Sequence, residues 1–367
     1  PYGGTKYGIE EASQGFFGKS ASDLSIAESA YLAALPQAPT YYSPYGNNRE
    51  DLDARKDKVL AEMLKFDYIS EEEYNEARNE QIQFKSFSSG SIKAPHFVFY
   101  VISQLSEMFP DEDVATANLR VITTLDWELQ NEAEKIVYEK AIENSDKYNA
   151  SNASLMAIDP KTGGILVMVG SRDYFDDEID GNFNIGLAKR QPGSSFKPFA
   201  YAAAIQKGYT TETIVYDVKT QFSTACEKTK LSGENDCYAP GNYDNKFRGP
   251  MTFRDALAQS VNVPAVKALY LAGMKETIEL SESFGLTTLE DYQRYGLTLV
   301  LGGGEVSLLE MTNAYGIFAN EGVRQNHTSI TEITSNSKKL FEFEDDGERI
   351  IEAEVARSIT DILADNK

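Results

Sequence analysis

A change of hydrophobic pattern at residues 153–170 constrains the fold of this chain more than any other feature. Two apolar runs, ASLMAI and ILVMVG, favour β-strands, and the segment DPKTGG between them has the early Pro and late Gly of a turn. Helical patterns precede this hairpin and dominate again from about residue 190. The order predicts an α+β chain with a hairpin central to a sheet, and 367 residues suit two or three domains.

The first 150 residues carry several helix signals. Asp23 is the predicted N-cap of a helix in DLSIAESAYLAAL, and REDLDARKDKVLAEMLKFDYI predicts a second, amphipathic helix. Ser70 and Glu73 fit a capping box that begins a third helix. Further along, HFVFYVISQLSEMF predicts a helix, LRVITTLD predicts a strand, and Asp126 can cap the helix that follows. The Ser-rich stretch 83–95 is typical of a linker.

Composition excludes some classes of function. The formal net charge of −22 argues against nucleic-acid binding, which needs stripes of Lys and Arg. His96 and His327 have no matching Cys spacing, so a zinc site is not expected. Cys226 and Cys237 lie in one polar loop, where they would pair in an oxidising compartment and remain thiols in the cytosol. The residues alone leave both states open.

The strongest chemical signal is the segment RQPGSSFKPFAYAAAI. Ser194 is predicted to open a helix, and Lys197 follows three residues later, which places both side chains on one helix face. A Lys whose pKa is lowered by burial can take the proton of a Ser hydroxyl, and a helix N-terminus favours the developing negative charge. Ser195 competes as nucleophile, but its i+3 residue is Pro198, which offers no base. Taken alone, the pattern S-x-x-K more often means a capping Ser beside an exposed Lys.

A second polar element lies in the segment ALAQSVNVPAVKAL, between two predicted helices. In a short extended turn, Ser260 and Asn262 would point the same way, and Pro264 would mark the start of the second helix. Ser260 can then pass a proton to a leaving amine, and Asn262 can hydrogen-bond a substrate amide. The plainer alternative is an Asn that caps the helix at Pro264.

The two elements in this order resemble the S-x-x-K and S-D-N motifs of serine β-lactamases and penicillin-binding proteins, with Val261 at the centre of the second motif. In that family a K-T-G strand follows the second motif. The segment Lys161-Thr162-Gly163 spells K-T-G, but it precedes Ser194 and lies in the predicted turn. We therefore reject it as the third motif and expect the true one beyond Lys367. We also expect both ends of the sequence to be cuts, since it begins without Met and stops inside an apparent helix.

The resemblance to class A, bifunctional penicillin-binding proteins covers nearly the whole chain. It is carried first by YGIEEASQGFFGKSASDLSIAESAYLAALPQAP, which resembles the C-terminal part of a family 51 glycosyltransferase domain. LRVITTLDWELQNEAE resembles the stretch that enters the transpeptidase domain, and SLMAIDPKTGGILVMVGS, RQPGSSFKPFAYAAAI and LGGGEVSLLEMTNAYGIFANEG resemble segments within it. It implies a helical glycosyltransferase remnant at 1–82, a linker region at 83–150 and a transpeptidase domain at 151–367. The last has a β-lactamase-like fold, a central antiparallel sheet flanked by helices, with its C-terminal strands missing.

The resemblance implies a D,D-transpeptidase that cross-links peptidoglycan stem peptides, beside a lipid II glycosyltransferase in the intact protein. The catalytic residues that it implies are Ser194, Lys197, Ser260 and Asn262. The glycosyltransferase glutamates belong to motifs upstream of Pro1, so Glu10, Glu11 and Glu28 are interpreted as surface or packing residues. The alternatives are a D,D-carboxypeptidase or β-lactamase, which transfers the acyl group to water, and a non-catalytic β-lactam-binding envelope protein.

The resemblance also sets expectations for partners and location. Lipid II, stem peptides and β-lactams are the expected ligands, with no metal, cofactor or nucleic acid. No apolar run is long enough to span a bilayer. The resemblance implies an anchor upstream of Pro1 that holds the protein outside the cytoplasm, near the cell-wall synthesis machinery. Such a compartment favours a disulfide between Cys226 and Cys237.

Overall fold

The computed structural model describes residues 2, 8–39, 41–45, 48–85, 92–110, 114, 117–227, 237–289, 292–345 and 347–365. Its helices are α1 (Ile9–Phe16), α2 (Ile26–Ala34), α3 (Arg49–Lys65), α4 (Glu71–Asn79), α5 (Pro95–Met108), α6 (Trp127–Tyr148), α7 (Lys197–Gln206), α8 (Phe253–Ala258), α9 (Asn262–Ala272), α10 (Met274–Ser283), α11 (Tyr292–Tyr295), α12 (Leu308–Ala319) and α13 (Ala353–Leu363). Within these ranges, none of the helices has the length and hydrophobicity needed to cross a membrane.

Within the described ranges, the strands form one three-stranded sheet and three two-stranded sheets. They are β1 (Leu119–Thr123), β2 (Leu155–Ile158), β3 (Ile165–Val169), β4 (Ile214–Asp217), β5 (Gly249–Thr252), β6 (Val323–Arg324), β7 (Ile330–Ser335), β8 (Lys338–Glu342) and β9 (Glu348–Arg349). The pairs are β2–β3, β4–β5 and β6–β9, and the three-stranded sheet has the order β1-β7-β8. The α+β class is confirmed, and so is the hairpin around residues 159–164. Among the described residues this hairpin is a two-stranded sheet rather than the centre of a larger one.

The chain divides into two compact units. The first contains residues 1–155, 167–185 and 330–342, and the second contains residues 156–166, 186–329 and 343–367. In the first unit, helices α1 to α4 enclose small apolar clusters around Leu32, Leu35, Leu52 and Leu60, all fully buried. The predicted strand at 119–126 is confirmed as β1. Its partner β7, more than 200 residues later in the sequence, was not predicted.

The predicted N-cap of α2 was wrong by two residues. Ser25, not Asp23, caps the helix: its side chain accepts from the N–H of Glu28, and the Ser25 N–H donates to Glu28 Oε2 at 2.7 Å. Asp23 lies in a short 3-10 turn before the helix. Ser25 is the better cap because Glu28, three residues later, completes a capping box with it. The predicted caps Ser70, with Glu73, and Asp126 are both confirmed.

The turn that spells K-T-G has a conformational role. Lys161 and Thr162 are exposed, and the N–H of Lys161 donates to Asp159 Oδ1 at 2.9 Å. Gly163 has φ +72, and a Cβ at this position would overlap the backbone carbonyl of Asn326. A glycine is therefore required here by backbone geometry.

Helix α7 forms the centre of the second unit. Every residue from Lys197 to Ala204 is buried, and the helix packs against α9, α10 and α13. Phe199 makes ring contacts with Phe284 and Phe318 at centroid distances of 5.3 and 5.6 Å. A helix that is buried on all sides is fixed in position by its surroundings, and so is the turn that precedes it.

A disulfide joins Cys226 and Cys237, with a Cα–Cα distance of 5.6 Å, as the resemblance predicted. Residues 228–236 between them lie outside the described residues. Beside the bridge, the N–H groups of Ser223 and Tyr238 both donate to Gln221 Oε1, at 3.0 and 2.8 Å. The bridge and these bonds bind the two ends of the loop to each other.

Replacing both cysteines by Ser is expected to lower the free energy of unfolding by about 2–3 kcal/mol, since a short cross-linked loop removes entropy from the unfolded chain. Chemical denaturation of the oxidised protein and of the Cys226→Ser/Cys237→Ser variant measures this difference. The reduced wild-type protein is the matched control and should behave like the variant. Two free thiols on alkylation of protein exported to an oxidising compartment would contradict the bridge.

Candidate active site

The segment before α7 presents two neighbouring hydroxyls in different ways. Residues Gly193–Phe196 form a 3-10 turn that leads directly into α7, so that Ser194 lies one turn ahead of Lys197. Both Ser194 and Ser195 are exposed, but Ser195 Oγ donates to the carbonyl of Pro192 at 2.7 Å. Ser194 Oγ makes no hydrogen bond to any residue in the described ranges. The two hydroxyls therefore differ in that Ser195 Oγ has a protein partner, whereas Ser194 Oγ has none among the described residues.

Two backbone contacts hold this turn. Gly302 has φ +89, and a Cβ there would overlap the backbone N and Cα of Gly193. On the flanks, Arg190 and Val306 exchange backbone hydrogen bonds of 2.9 and 3.0 Å. The segment that precedes Ser194 is thereby fitted against the backbone of residues 302–306, and the fit requires glycine at Gly302.

Lys197 is a fully buried cation whose Nζ faces three oxygens. It donates to Ser260 O at 2.6 Å, to Asn262 Oδ1 at 2.8 Å and to Ser260 Oγ at 3.1 Å. Burial lowers the pKa of Lys197 from 10.5 to about 8, because desolvation disfavours the ammonium form. The Lys is thus close to the range in which it can act as a base at neutral pH.

The end of α8 explains why Ser260 faces Lys197. Ser260 has φ +53, a left-handed conformation that glycine usually fills at a helix C-terminus. The N–H of Ser260 donates to Leu257 O and that of Val261 donates to Ala256 O, both at 2.9 Å, as in a Schellman motif. The left-handed conformation turns the chain so that both oxygens of Ser260 face Nζ. A non-glycine residue here accepts some backbone strain, which fits a residue kept for its hydroxyl.

Asn262 lies at the first residue of α9, two residues earlier than the predicted start at Pro264. The predicted extended turn was also wrong, because Ser260 is left-handed and only Val261 is extended. The predicted convergence is nevertheless found, since Ser260 and Asn262 both contact Lys197. Asn262 Nδ2 donates to Gly241 O at 3.0 Å, which orients the amide with Oδ1 toward Nζ.

Two neighbouring residues of this site were missed from the sequence. Tyr315 donates from its hydroxyl to the carbonyl of Ser195 at 2.7 Å, across 120 residues of chain. Asn242 accepts from the N–H groups of Asn262 and Val263, at 3.1 and 3.2 Å. The only signal for Asn242 was a polar residue in the turn-rich segment APGNYDN.

The N-terminal glutamates set aside in the sequence have structural contacts. Glu28 belongs to the capping box of α2 and lies 2.8 Å from Lys19 Nζ. Glu10 accepts from the backbone N–H of Ala21, and this hydrogen bond lowers the pKa of its carboxyl. A lowered pKa keeps Glu10 ionised and is the opposite of what a general acid needs.

No group of three or more His, Cys, Asp or Glu side chains able to hold a metal occurs within the ranges that the structure covers.

Two protein-family models match parts of this chain. The family model for the penicillin binding protein transpeptidase domain matches residues 153–367, and the transglycosylase model matches residues 1–64. The chain is 33% identical to penicillin-binding protein 2D of Bacillus subtilis over 91% of its own length and 46% of that protein's. It is 29% identical to penicillin-binding protein 1A of Aquifex aeolicus over 93% of its length and 56% of that protein's.

Among solved structures, that of penicillin-binding protein 1A from Haemophilus influenzae superposes with a TM-score of 0.64 at 24% identity, covering 99% of this chain and 70% of that one. At this identity the likeness concerns the fold. The chain spans about half the length of the curated relatives that it matches.

Proposed function

The chain belongs to the class A, bifunctional penicillin-binding proteins, and on that premise we propose that it carries a D,D-transpeptidase site whose nucleophile is Ser194. The observation that carries the proposal is the buried Lys197, held by Ser260 and Asn262 one helical turn from Ser194. The Ser194 hydroxyl is exposed and forms no hydrogen bond to any residue that the structure describes. We further propose the domain division 1–82, 83–150 and 151–367, with the glycosyltransferase activity belonging to the whole protein.

The reaction follows from the roles of these side chains. Neutral Lys197 takes the Ser194 proton while Oγ attacks the carbonyl of the penultimate D-Ala of a stem peptide, and the N–H of Ser194 helps to stabilise the oxyanion. Ser260 donates its proton to the nitrogen of the terminal D-Ala, which leaves as the peptide bond breaks, and Ser260 Oγ receives in return the proton that Lys197 took from Ser194. An amine of a second stem peptide then attacks the acyl carbonyl and forms the new peptide bond as the ester bond to Ser194 Oγ breaks. The proton lost by the amine passes through Lys197 to Ser194 Oγ, which restores the free hydroxyl. Asn262 hydrogen-bonds the substrate amide.

The ligands and location follow from the same premise. We propose that stem peptides and lipid II are the substrates of the whole protein and that β-lactams acylate Ser194 as mimics of the donor. Since this wall chemistry takes place outside the cytoplasm, we propose an extracytoplasmic site anchored to the cell membrane, near other wall-synthesis proteins. The disulfide between Cys226 and Cys237 supports an oxidising location.

Product analysis tests the reaction. The full-length protein is given a stem peptide ending in D-Ala-D-Ala together with a second stem peptide that supplies the amine. We expect release of D-Ala with a cross-linked dimer as the main product. A predominance of the hydrolysed donor would favour the carboxypeptidase or β-lactamase alternative. Absence of labelling by fluorescent penicillin would favour a non-catalytic envelope protein.

The pKa of Lys197 predicts the pH dependence of acylation. A base acts in its neutral form, and a pKa of about 8 leaves about a tenth of the side chain neutral at pH 7, against about 0.03% for an ordinary lysine. The rate of Ser194 acylation by fluorescent penicillin should therefore rise with pH, with a midpoint near 8, and level off above it. Rates from pH 6 to 10, corrected for spontaneous hydrolysis, provide the check. A rate that does not change between pH 7 and 9 would contradict Lys197 as the base.

A further inference from the structure

A buried asparagine lies directly behind the candidate active site. Asn242 is 5% exposed and precedes the Ser260–Asn262 loop by about 20 residues. Its Oδ1 accepts from the backbone N–H groups of Asn262 and Val263, the first two residues of α9. These groups have no partner within their own helix, so Asn242 caps α9 from a separate segment of chain. Its neighbour Gly241 accepts from the Asn262 side chain, and the two residues together fix both the backbone and the amide of Asn262.

The other side of the Asn242 amide faces a buried carboxylate. Its Nδ2 donates to Asp217 Oδ1 and to the carbonyl of Lys246, both at 2.7 Å. Asp217 is fully buried at the end of β4, and its Oδ2 accepts from the Arg248 N–H at 2.9 Å and lies 3.5 Å from the Arg248 guanidinium. A carboxylate accepts hydrogen bonds and donates none, so Asp217 fixes which end of the Asn242 amide can face α9.

The contacts form a continuous path from Asp217 through Asn242 and Asn262 to Lys197 Nζ. Each step is a hydrogen bond between 2.7 and 3.1 Å. A shift of α9 by a fraction of an ångström would move Asn262 Oδ1 relative to the base, and proton transfer is sensitive to such shifts. A cap needed only for stability could be built on α9 itself, whereas this one also fixes the side chain that contacts Lys197.

We propose that Asn242, oriented by Asp217, is a positioning residue for acylation: it sets Asn262 against Lys197 and thereby holds the base in place for Ser194. This inference rests on the proposed function. It predicts that Asn242 affects the rate of the chemical step and has little effect on how tightly the β-lactam or donor first binds.

The test measures acylation of the full-length protein by fluorescent penicillin, separating the rate constant at saturation from the half-saturating concentration. Asn242→Ala should lower the rate constant at least 30-fold and change the half-saturating concentration less than threefold. The matched control is Asn245→Gly, since Asn245 is an exposed residue of the same turn at φ +57, which glycine accommodates. The control should acylate at the wild-type rate. Thermal unfolding is recorded for every variant, and rates are taken well below its midpoint.

A swap of the two side chains sharpens the test. Asn242→Asp alone places two carboxylates in contact and should be as slow as Asn242→Ala or slower. Asn242→Asp with Asp217→Asn keeps one buried carboxylate and restores acceptors for the N–H groups of Asn262, Val263 and Arg248. It loses the bond to Lys246 O, sets a carboxylate oxygen against that carbonyl, and removes the charge that faces the Arg248 guanidinium, so a partial recovery is expected. The double variant should acylate at least tenfold faster than the Asn242→Asp single variant. If Asn242→Ala does not fold, the test uses Asp217→Asn, which keeps the side-chain volume. This variant should lower the acylation rate constant at saturation at least fivefold.

The outcomes separate this proposal from the proposed function. A folded Asn242→Ala or Asp217→Asn protein that acylates at the wild-type saturated rate, with only its unfolding temperature lowered, would reduce Asn242 to a structural cap and overturn the proposal. Equal slowing of the single and double swap variants would count against the pairing with Asp217. A wild-type protein that is not labelled at Ser194 would instead refute the proposed function itself.

Discussion

Ser194→Ala is expected to abolish covalent attachment of penicillin to the full-length protein while leaving its fold intact. The hydroxyl is exposed and forms no hydrogen bond within the described ranges, so its removal leaves no buried polar group unsatisfied. The acyl bond cannot form without Oγ, and labelling should fall from complete to undetectable on a denaturing gel. Circular dichroism and the thermal midpoint should match those of the wild type.

The neighbouring serine provides the control for that result. Ser195→Ala removes an equally exposed hydroxyl, but one that already donates to Pro192 O. We expect it to acylate within a few-fold of the wild-type rate. Fragmentation of the labelled tryptic peptide by mass spectrometry identifies the modified residue independently of mutagenesis. A label on Ser195, or full labelling of the Ser194→Ala protein, would overturn the assignment.

Lys197→Met is expected to slow acylation by about 10²–10⁴-fold, the range over which a positioned general base contributes. The substitution keeps an unbranched side chain in the buried site and removes only the amine and its three hydrogen bonds. Lys197→Ala should be at least as slow, with an added loss of stability from the cavity. Stopped-flow labelling at saturating penicillin measures the chemical step for each variant.

Lys207→Ala provides the matched lysine control. Lys207 lies at the other end of α7, where it is partly exposed and forms an ion pair of 2.7 Å with Glu276. Its removal should leave the acylation rate unchanged, because a surface ion pair contributes little and lies far along the helix from Ser194. A Lys197→Met protein that acylates as fast as the Lys207→Ala control would mean that another group takes the Ser194 proton.

The parts of the fold that were predicted correctly depend on neighbours in sequence. The capping box of Ser70 and Glu73, the helix that opens after Ser194 and the hairpin at 159–164 are each specified within a few residues. The spacing of Ser194 and Lys197 is likewise local, since three residues make one helical turn. Where local signals competed, the choice could fail: Asp23 and Ser25 both suit an N-cap, and only the Glu28 contact decided between them.

The features that were missed depend on contacts between distant segments. Strand β1 pairs with β7 across more than 200 residues of sequence. The hydrophobic pattern of a strand does not indicate which distant strand it pairs with. Ser260 was expected in extended backbone because its left-handed conformation is rare outside glycine. Asn242 gave no signal beyond a polar turn, since its role comes from the buried carboxylate of Asp217 and from the start of α9, neither of which is its neighbour in sequence.

Under the proposed function, the close approach of Gly302 to Gly193 restricts how resistance to β-lactams can arise at this site. A side chain at Gly302 would displace the turn that carries Ser194. Under the proposed function, β-lactam and natural donor are attacked by the same oxygen, so such a displacement would harm wall synthesis together with drug capture. Substitutions in this site that lower drug capture and preserve growth are therefore expected at positions where drug and donor differ in shape. We expect Gly302 to remain glycine in bacterial populations selected on β-lactams.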